Sequence, residues 1–323
     1  MSKSKPILSE EVKLPNTGRP DGFFICSASP EERCLGSINK LTPDYKVDKV
    51  FLLVYKDHDS DIRATHLAEM RRKLSKVGDV VEFPIDEENP IVCIKRILRD
   101  ISDALIKNPG LSISLDFSTL IKWHLLLLLK GSKRQGFLHR IRFIYTEPED
   151  YVINLFQPLS FGIRKIFSIP TYSGNYDFSK EALLVLMLGY EGDRALGLYE
   201  EIDPNECLLL IPDPPYREEW KGRTETMNKA IINMVGKSKI SYIHSRNPNE
   251  VCEQLKRLLS KPEYRDFNHI ISPLGTKPQV LGLFLYLIKN PPNTNLVYGA
   301  PLRHNDPFYS KGIGRTWVIP IIT

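Results

Sequence analysis

Ile25-Cys26-Ser27-Ala28-Ser29-Pro30-Glu31-Glu32-Arg33-Cys34-Leu35-Gly36 and Leu186-Met187-Leu188-Gly189-Tyr190-Glu191-Gly192-Asp193-Arg194-Ala195-Leu196-Gly197 follow one pattern. Each is an apolar run, a turn, and then acid-Arg-x-Leu-Gly. Arg33 falls on Arg194, Leu35 on Leu196 and Gly36 on Gly197, and the same offset carries Pro43 onto Pro204. A slightly shorter offset carries Thr119 onto Thr276 and Tyr145 onto Tyr298. A slowly shrinking offset is what a duplication with small loop deletions produces. The sequence therefore predicts one half-domain written twice.

Working outward, short apolar or β-branched runs alternate with longer helical patterns. In the first copy strands are expected at Phe23–Ser27, Lys49–Tyr55, Val80–Pro84, Leu111–Asp116 and Arg142–Thr146. Between them stand a helix from about Pro30 and helices over Ile62–Lys76, Val92–Ile106 and Leu120–Lys130. The second copy repeats the order, with strands at Leu183–Leu188, Glu206–Ile211, Ile240–His244, His269–Ser272 and Asn295–Tyr298. Such alternation argues for βαβ units and a parallel sheet. The expected fold is α/β: two tandem Rossmann-like parallel-sheet halves related by an approximate pseudo-two-fold. The halves are residues 21–150 and 181–323, the latter ending in a closing strand within Ser310–Pro320. A polar tail (1–20) precedes them and a connector (151–180), with room for an added strand, joins them. The two post-fourth-strand helices, Leu120–Lys130 and Val280–Lys289, are apolar nearly all round and so buried on both sides. Either they pack the copies together or each covers its own sheet.

Composition sets bounds on function. The 323 residues are 42% hydrophobic and 26% charged, as in an ordinary globular protein. Forty-four Lys and Arg against 39 Asp and Glu suit an anionic ligand but fall short of a duplex-DNA binder's basic signature. Five scattered cysteines (Cys26, Cys34, Cys93, Cys207, Cys252) have neither zinc spacing nor an even count, and read as core residues in a reducing compartment. With no signal core and no span of ~18–20 apolar residues, a cytoplasmic location without membrane attachment is expected. No cofactor or metal is called for.

In an open parallel sheet ligands bind beyond the carboxyl ends of the strands, so the segments after strands one and four of each copy matter most. After strand one of the first copy, Ser27, Ser29, Glu32 and Arg33 are candidates, with Ser29 and Glu32 spaced as a capping box. Arg33 and Arg194 read as arginines held by the preceding acid and aimed at a ligand, or as exposed ion pairs. Gly189-Tyr190-Glu191-Gly192-Asp193 lets backbone approach a ligand but lacks the full dinucleotide-binding glycine pattern. After strand four, Gly275, Thr276 and Lys277 at a helix start form a compact anion site, whereas the first copy offers Asp116, Ser118 and Thr119. Asp213 follows the second strand, where it fits a ribose hydroxyl, with Tyr216 or Trp220 to stack a base; a stiff Pro-Pro turn with Asp213 as a cap is the plainer account. Lys56-Asp57-His58-Asp59-Ser60-Asp61 gathers acids around a histidine, but its spacing fits no metal loop, and a solvated turn is expected.

A strand followed by Gly275-Thr276-Lys277-Pro278 and an apolar helix resembles the second motif of CARF domains, D-x-T-G-G-T-K-P, with Ser272 in place of the family's Asp and Leu274 in place of one glycine. The single-chain duplication resembles SAVED domains, fused CARF-like halves that sense cyclic oligonucleotides in anti-phage defence. The resemblance implies that Gly275, Thr276 and Lys277 hold the ligand together with the loop from Gly189 to Arg194.

The expected function is a nucleotide-type anion sensor or regulatory protein, for a ligand such as a cyclic oligonucleotide, acting through a separate effector chain. One alternative is a nucleotide-processing enzyme, a hydrolase or glycosyl transferase, using Glu191, Asp193 or Asp213 as its catalytic carboxylate. Another is a structural partner with a degenerate cleft. No G-x-S-x-G, H-E-x-x-H or paired-Cys signature supports the enzyme.

Overall fold

The structure, a computed structural model, describes residues 21–56, 61–151, 160–289, 294–304 and 310–322. The chain falls into two units, Met1–Val152 with Ser310–Thr323, and Ile153–Tyr309. The acidic turn at 57–60 and the tail at 1–20 lie outside the described residues.

In the first unit β1 (Asp21–Ser27), β2 (Val47–Tyr55), β3 (Asp79–Ile85), β4 (Ser112–Asp116) and β5 (Ile141–Asp150) pair in parallel in the order β5-β4-β1-β2-β3. Helices α1 (Asp61–Leu74), α2 (Ile91–Lys107) and α3 (Lys122–Arg134) connect them. Phe24 and Ile25, on adjacent positions and opposite faces of β1, are both buried, as a parallel sheet covered on both sides requires. Each such burial stabilises by about 1.5–3 kcal/mol. Helix α1 buries Arg63, His66, Met70 and Leu74, one stripe at helical spacing, and leaves its charged face to water.

The second unit repeats this. Its strands are β6 (Ser160–Ser168), β7 (Ala182–Met187), β8 (Glu206–Pro212), β9 (Ile240–Ile243), β10 (Asn268–Pro273) and β11 (Thr294–His304). The helices are α4 (Gly192–Ile202), α5 (Arg223–Met227), α6 (Lys229–Val235), α7 (Pro248–Leu259) and α8 (Lys277–Lys289). The sheet runs β6-β11-β10-β7-β8-β9, parallel except for β6. Ile25 stands opposite Phe51 and Leu115, and Leu186 opposite Leu209 and Ser272, so the repeated stretch is the central strand of each sheet. Both units are Rossmann-like, with the order of strands reversing beside that central strand. Within its own unit each of the two apolar helices packs on a neighbour: Leu98 of α2 lies against Gly131 in α3, and Val251 of α7 against Gly282 in α8.

Two expectations need correcting. The closing strand, β12 (Lys311–Ile319), joins the first sheet rather than the second half of the chain, antiparallel to β5 with Trp317 opposite Tyr145. Strand β6 takes the matching edge of the second sheet, with Phe167 opposite Tyr298. An open ladder edge takes whichever strand lies beside it in space, and chain order does not reveal that. The helix expected from Pro30 is also absent. Short 3-10 turns at Glu32–Leu35 and Ile38–Lys40 replace it, whereas the second copy builds α4. Cys34, Ser37 and Asn39 are poorer helix formers than Ala195, Leu198 and Glu200, which stand at the matching positions of α4. Among the described residues no helix is long and apolar enough to cross a membrane.

Candidate functional site

The order of strands in the second sheet reverses between β7 and β10, and the turns leaving these two strands touch. A Cβ at Gly189 would lie 2.6 Å from the Leu274 carbonyl oxygen, and one at Gly275 would meet the Gln279 side-chain oxygen. At Gly189 the neighbour is backbone, so only glycine allows so close an approach; at Gly275 it is the end of the Gln279 side chain. Asn228, buried, donates to the Gly189 carbonyl at 2.7 Å and pins the first turn. Tyr190 is half-buried beside it.

The second turn leads into α8 through a capping box. The Gln279 amide donates to Thr276 Oγ1 at 3.3 Å, and the Thr276 amide to Gln279 Oε1 at 2.8 Å. The Thr276 hydroxyl also donates to the Ser245 carbonyl at 2.6 Å. Thr276 is thus a positioning group whose hydroxyl has its partners within the protein. Lys277, half-buried, is the first residue of this 13-residue helix and places an ammonium at the positive end of its dipole.

Ser245 ties three loops together. Its carbonyl also accepts from Tyr216 Oη at 3.4 Å, and its hydroxyl donates to the Pro214 carbonyl at 2.6 Å. Its neighbour His244 accepts from the Arg246 and Asn247 amides at 3.0 Å each through Nδ1, which leaves the proton on Nε2, 3.6 Å from Glu250. Burial lowers the His244 pKa, against the pull of Glu250. Asp213 is exposed, its amide donating to the Ile243 carbonyl at 2.8 Å. Trp220 is buried, and Tyr216 lies beneath Arg246, 4.6 Å from ring centroid to Cζ.

The recurring arginines have inward partners. Arg194 donates to Glu191 at 2.6 Å and from Nε to the Gly299 carbonyl at 3.1 Å, over the ring of Tyr298. Glu191 also accepts from Ser160 at 2.7 Å and is buried, so its charge is matched within the fold. Asp193 lies exposed in the first turn of α4. Arg33 forms a two-pronged pair with Glu31 at 2.9 Å on each arm, and donates to Tyr145 Oη at 3.3 Å. Burial opposes its charge, but Glu31, Tyr145 and Tyr151 together raise the pKa above its ordinary value. The partner acids are therefore Glu31 and Glu191, not Glu32 and Asp193, which directly precede the arginines. Glu32 is exposed and accepts from the Gly312 amide at 2.7 Å, while Ser29 Oγ accepts from the Glu31 amide at 3.1 Å, so the expected Ser29–Glu32 capping box does not form.

At the matching turn of the first unit, Ser27 and Thr119 share a hydroxyl contact of 2.8 Å. Buried Asp116 accepts from the Ser118 amide at 2.8 Å and from the hydroxyls of Ser118 and Ser37. Burial pushes its carboxyl up, with the hydrogen bonds opposing. Thr119 and Thr276, equivalent by offset, thus bind different partners: Thr119 turns to β1, Thr276 to the turn after β9. Ser245, Arg246 and Gln279 were not singled out from sequence. Their signal was available, since Ser245 and Arg246 follow the third strand at the same sheet edge and Gln279 completes a T-x-x-Q box.

No family model matches the chain, and no curated protein does. A solved structure described as a type III CRISPR defence DNA nuclease activated by cyclic oligoadenylate is similar, with a TM-score of 0.55 and 10% identity. The match covers 85% of this chain and 64% of that one, so this chain spans less than two thirds of that protein's length. The likeness is one of fold.

Proposed function

We propose that this protein is a sensor for a nucleotide-type anion of the cyclic oligonucleotide class in an anti-phage defence system, passing its signal to a separate effector chain. The observation that carries this reading is the pair of glycine turns at the reversal point of the second sheet, with Lys277 opening α8 beside them. Phosphate oxygens suit such a place: close backbone, a helix dipole and a cation act together. The fold likeness to a nuclease activated by cyclic oligoadenylate supports the choice of ligand class. Gly275, Thr276 and Lys277, with the loop from Gly189, are the proposed ligand-holding set. Enzymatic use of Glu191 is disfavoured, because Arg194 and Ser160 hold that carboxylate in the interior.

Calorimetry of the whole chain with cyclic and linear oligoadenylates tests the reading. Binding without turnover is expected, and Lys277→Ala should weaken it about tenfold or more, the scale of one charge-assisted hydrogen bond. Ligand turnover would overturn the sensor in favour of an enzyme, and unchanged affinity in Lys277→Ala would overturn the site.

A further inference from the structure

Beside the Lys277 turn the second unit gathers three arginines around two aromatic rings. Arg246 lies over Tyr216 with Cζ 4.6 Å from the ring centroid, and its guanidinium donates to the Tyr216 carbonyl. Tyr216 stacks on Trp220, with centroids 6.5 Å apart and planes 30° apart. Arg223 and Arg217 lie over Trp220 at 5.3 and 5.5 Å. This cluster is joined to the glycine turn through one residue, because the Ser245 carbonyl accepts from both Thr276 and Tyr216. Arg246 is half-exposed, so the stack reaches solvent, while Trp220 is buried.

We infer that Arg246, held over the ring of Tyr216, is the platform on which a base of the bound oligonucleotide stacks, with the adjoining phosphate at Gly275–Lys277. The inference rests on the proposed ligand class and adds how its bases are held. A guanidinium is planar and stacks on π systems, which an ammonium does not. Here the ring and the carbonyl hold the guanidinium in place before any ligand arrives, so little ordering remains to be done on binding. Base stacking of this kind is tolerant of base identity and grows with ring size, which favours purines. Trp220, with Arg217 and Arg223 over its ring, packs beside Tyr216 and supports it. Neither ring needs to be uncovered to receive the base, because the cation on Tyr216 is itself the stacking surface.

The test compares two probes by calorimetry: a cyclic oligoadenylate, and the same ribose-phosphate ring without bases. The intact protein should bind the oligoadenylate more tightly. Arg246→Ala should weaken the oligoadenylate about tenfold or more, the scale of one base stack, and leave the abasic ring unchanged. Arg246→Lys should behave like Arg246→Ala, since charge without a plane does not stack. Tyr216→Leu should act in the same direction and Tyr216→Phe should not; melting curves identify any variant that fails to fold. Equal weakening of both probes by Arg246→Ala, with rescue by Lys, would overturn the platform and make Arg246 a phosphate contact. If Lys277→Ala weakens both probes and Arg246→Ala weakens neither, the platform fails while the sensor reading stands. If the intact protein binds neither probe, both fail together.

Discussion

The guanidinium of Arg194 lies over the ring of Tyr298, 5.4 Å from its centroid, and its Nε donates to the carbonyl of the next residue, Gly299. Arg33 stands to Tyr145 in the same way, at 5.9 Å, and reaches the Thr146 carbonyl at 3.5 Å. In each unit the arginine after the central strand is thereby fastened to the strand two places away in the sheet. Each also carries its own acid, Glu31 or Glu191, so a buried charge is paired and all three guanidinium nitrogens donate. This buckle accounts for the recurrence of the arginine without appeal to a ligand.

Arg194→Met should therefore destabilise the protein strongly. It would leave Glu191 buried without its cation, and breaking a buried pair from one side costs about 3–5 kcal/mol. Urea unfolding of the variant checks this, and a loss under about 1 kcal/mol would show that the pair is dispensable.

Thr276→Val removes the hydroxyl that caps α8 and tethers it to Ser245, while keeping the shape of the side chain. A loss of about 1–2 kcal/mol is expected, with weaker oligonucleotide binding because the turn is no longer held. Thr276→Ser should retain most of both. Melting temperature and calorimetry on the two variants decide the matter.

His124 predicts a pH dependence. Its ring is buried against Tyr55, with Nε2 2.9 Å from the Glu87 carbonyl, and burial pushes its pKa down to about 4. Between that value and the ordinary value near 6.5, the unfolded chain binds a proton that the folded chain refuses, so stability rises with pH. The contribution is complete above about pH 6.5, falls away toward pH 4, and amounts to at most about 3 kcal/mol. His124→Phe should flatten that part of the acid limb when denaturation midpoints are compared at about pH 4.5 and 7. An unchanged slope would rule His124 out as its source.

Much of the fold was legible because it is written in period and repeat. Alternating strand and helix patterns located nearly every element, and Arg33, Gly36 and their counterparts marked the central strand of each sheet. The turn Gly275-Thr276-Lys277 was legible for the same local reason: a glycine, a cap and a cation at a helix start share one short stretch. The partners were harder to read. Glu31 and Glu191 were missed as the arginines' acids because a buried side chain pairs by direction, and the residue immediately before an arginine points elsewhere.

By itself the sequence determined the α/β class, the duplication and the two glycine turns, since propensity, periodicity and close-approach glycine act over a few residues. The tertiary structure decided the rest. It assigned β12 to the first sheet, turned Arg33 and Arg194 inward, and brought Ser245 and Arg246 beside Thr276. Each of these depends on which open edge, carbonyl or ring lies nearby in space once the chain has folded. Hydrogen bonds are satisfied by proximity in space: the acids that pair with Arg33 and Arg194 are near in sequence, but Tyr145 and the Gly299 carbonyl, to which the two arginines donate, lie 112 and 105 residues away along the chain.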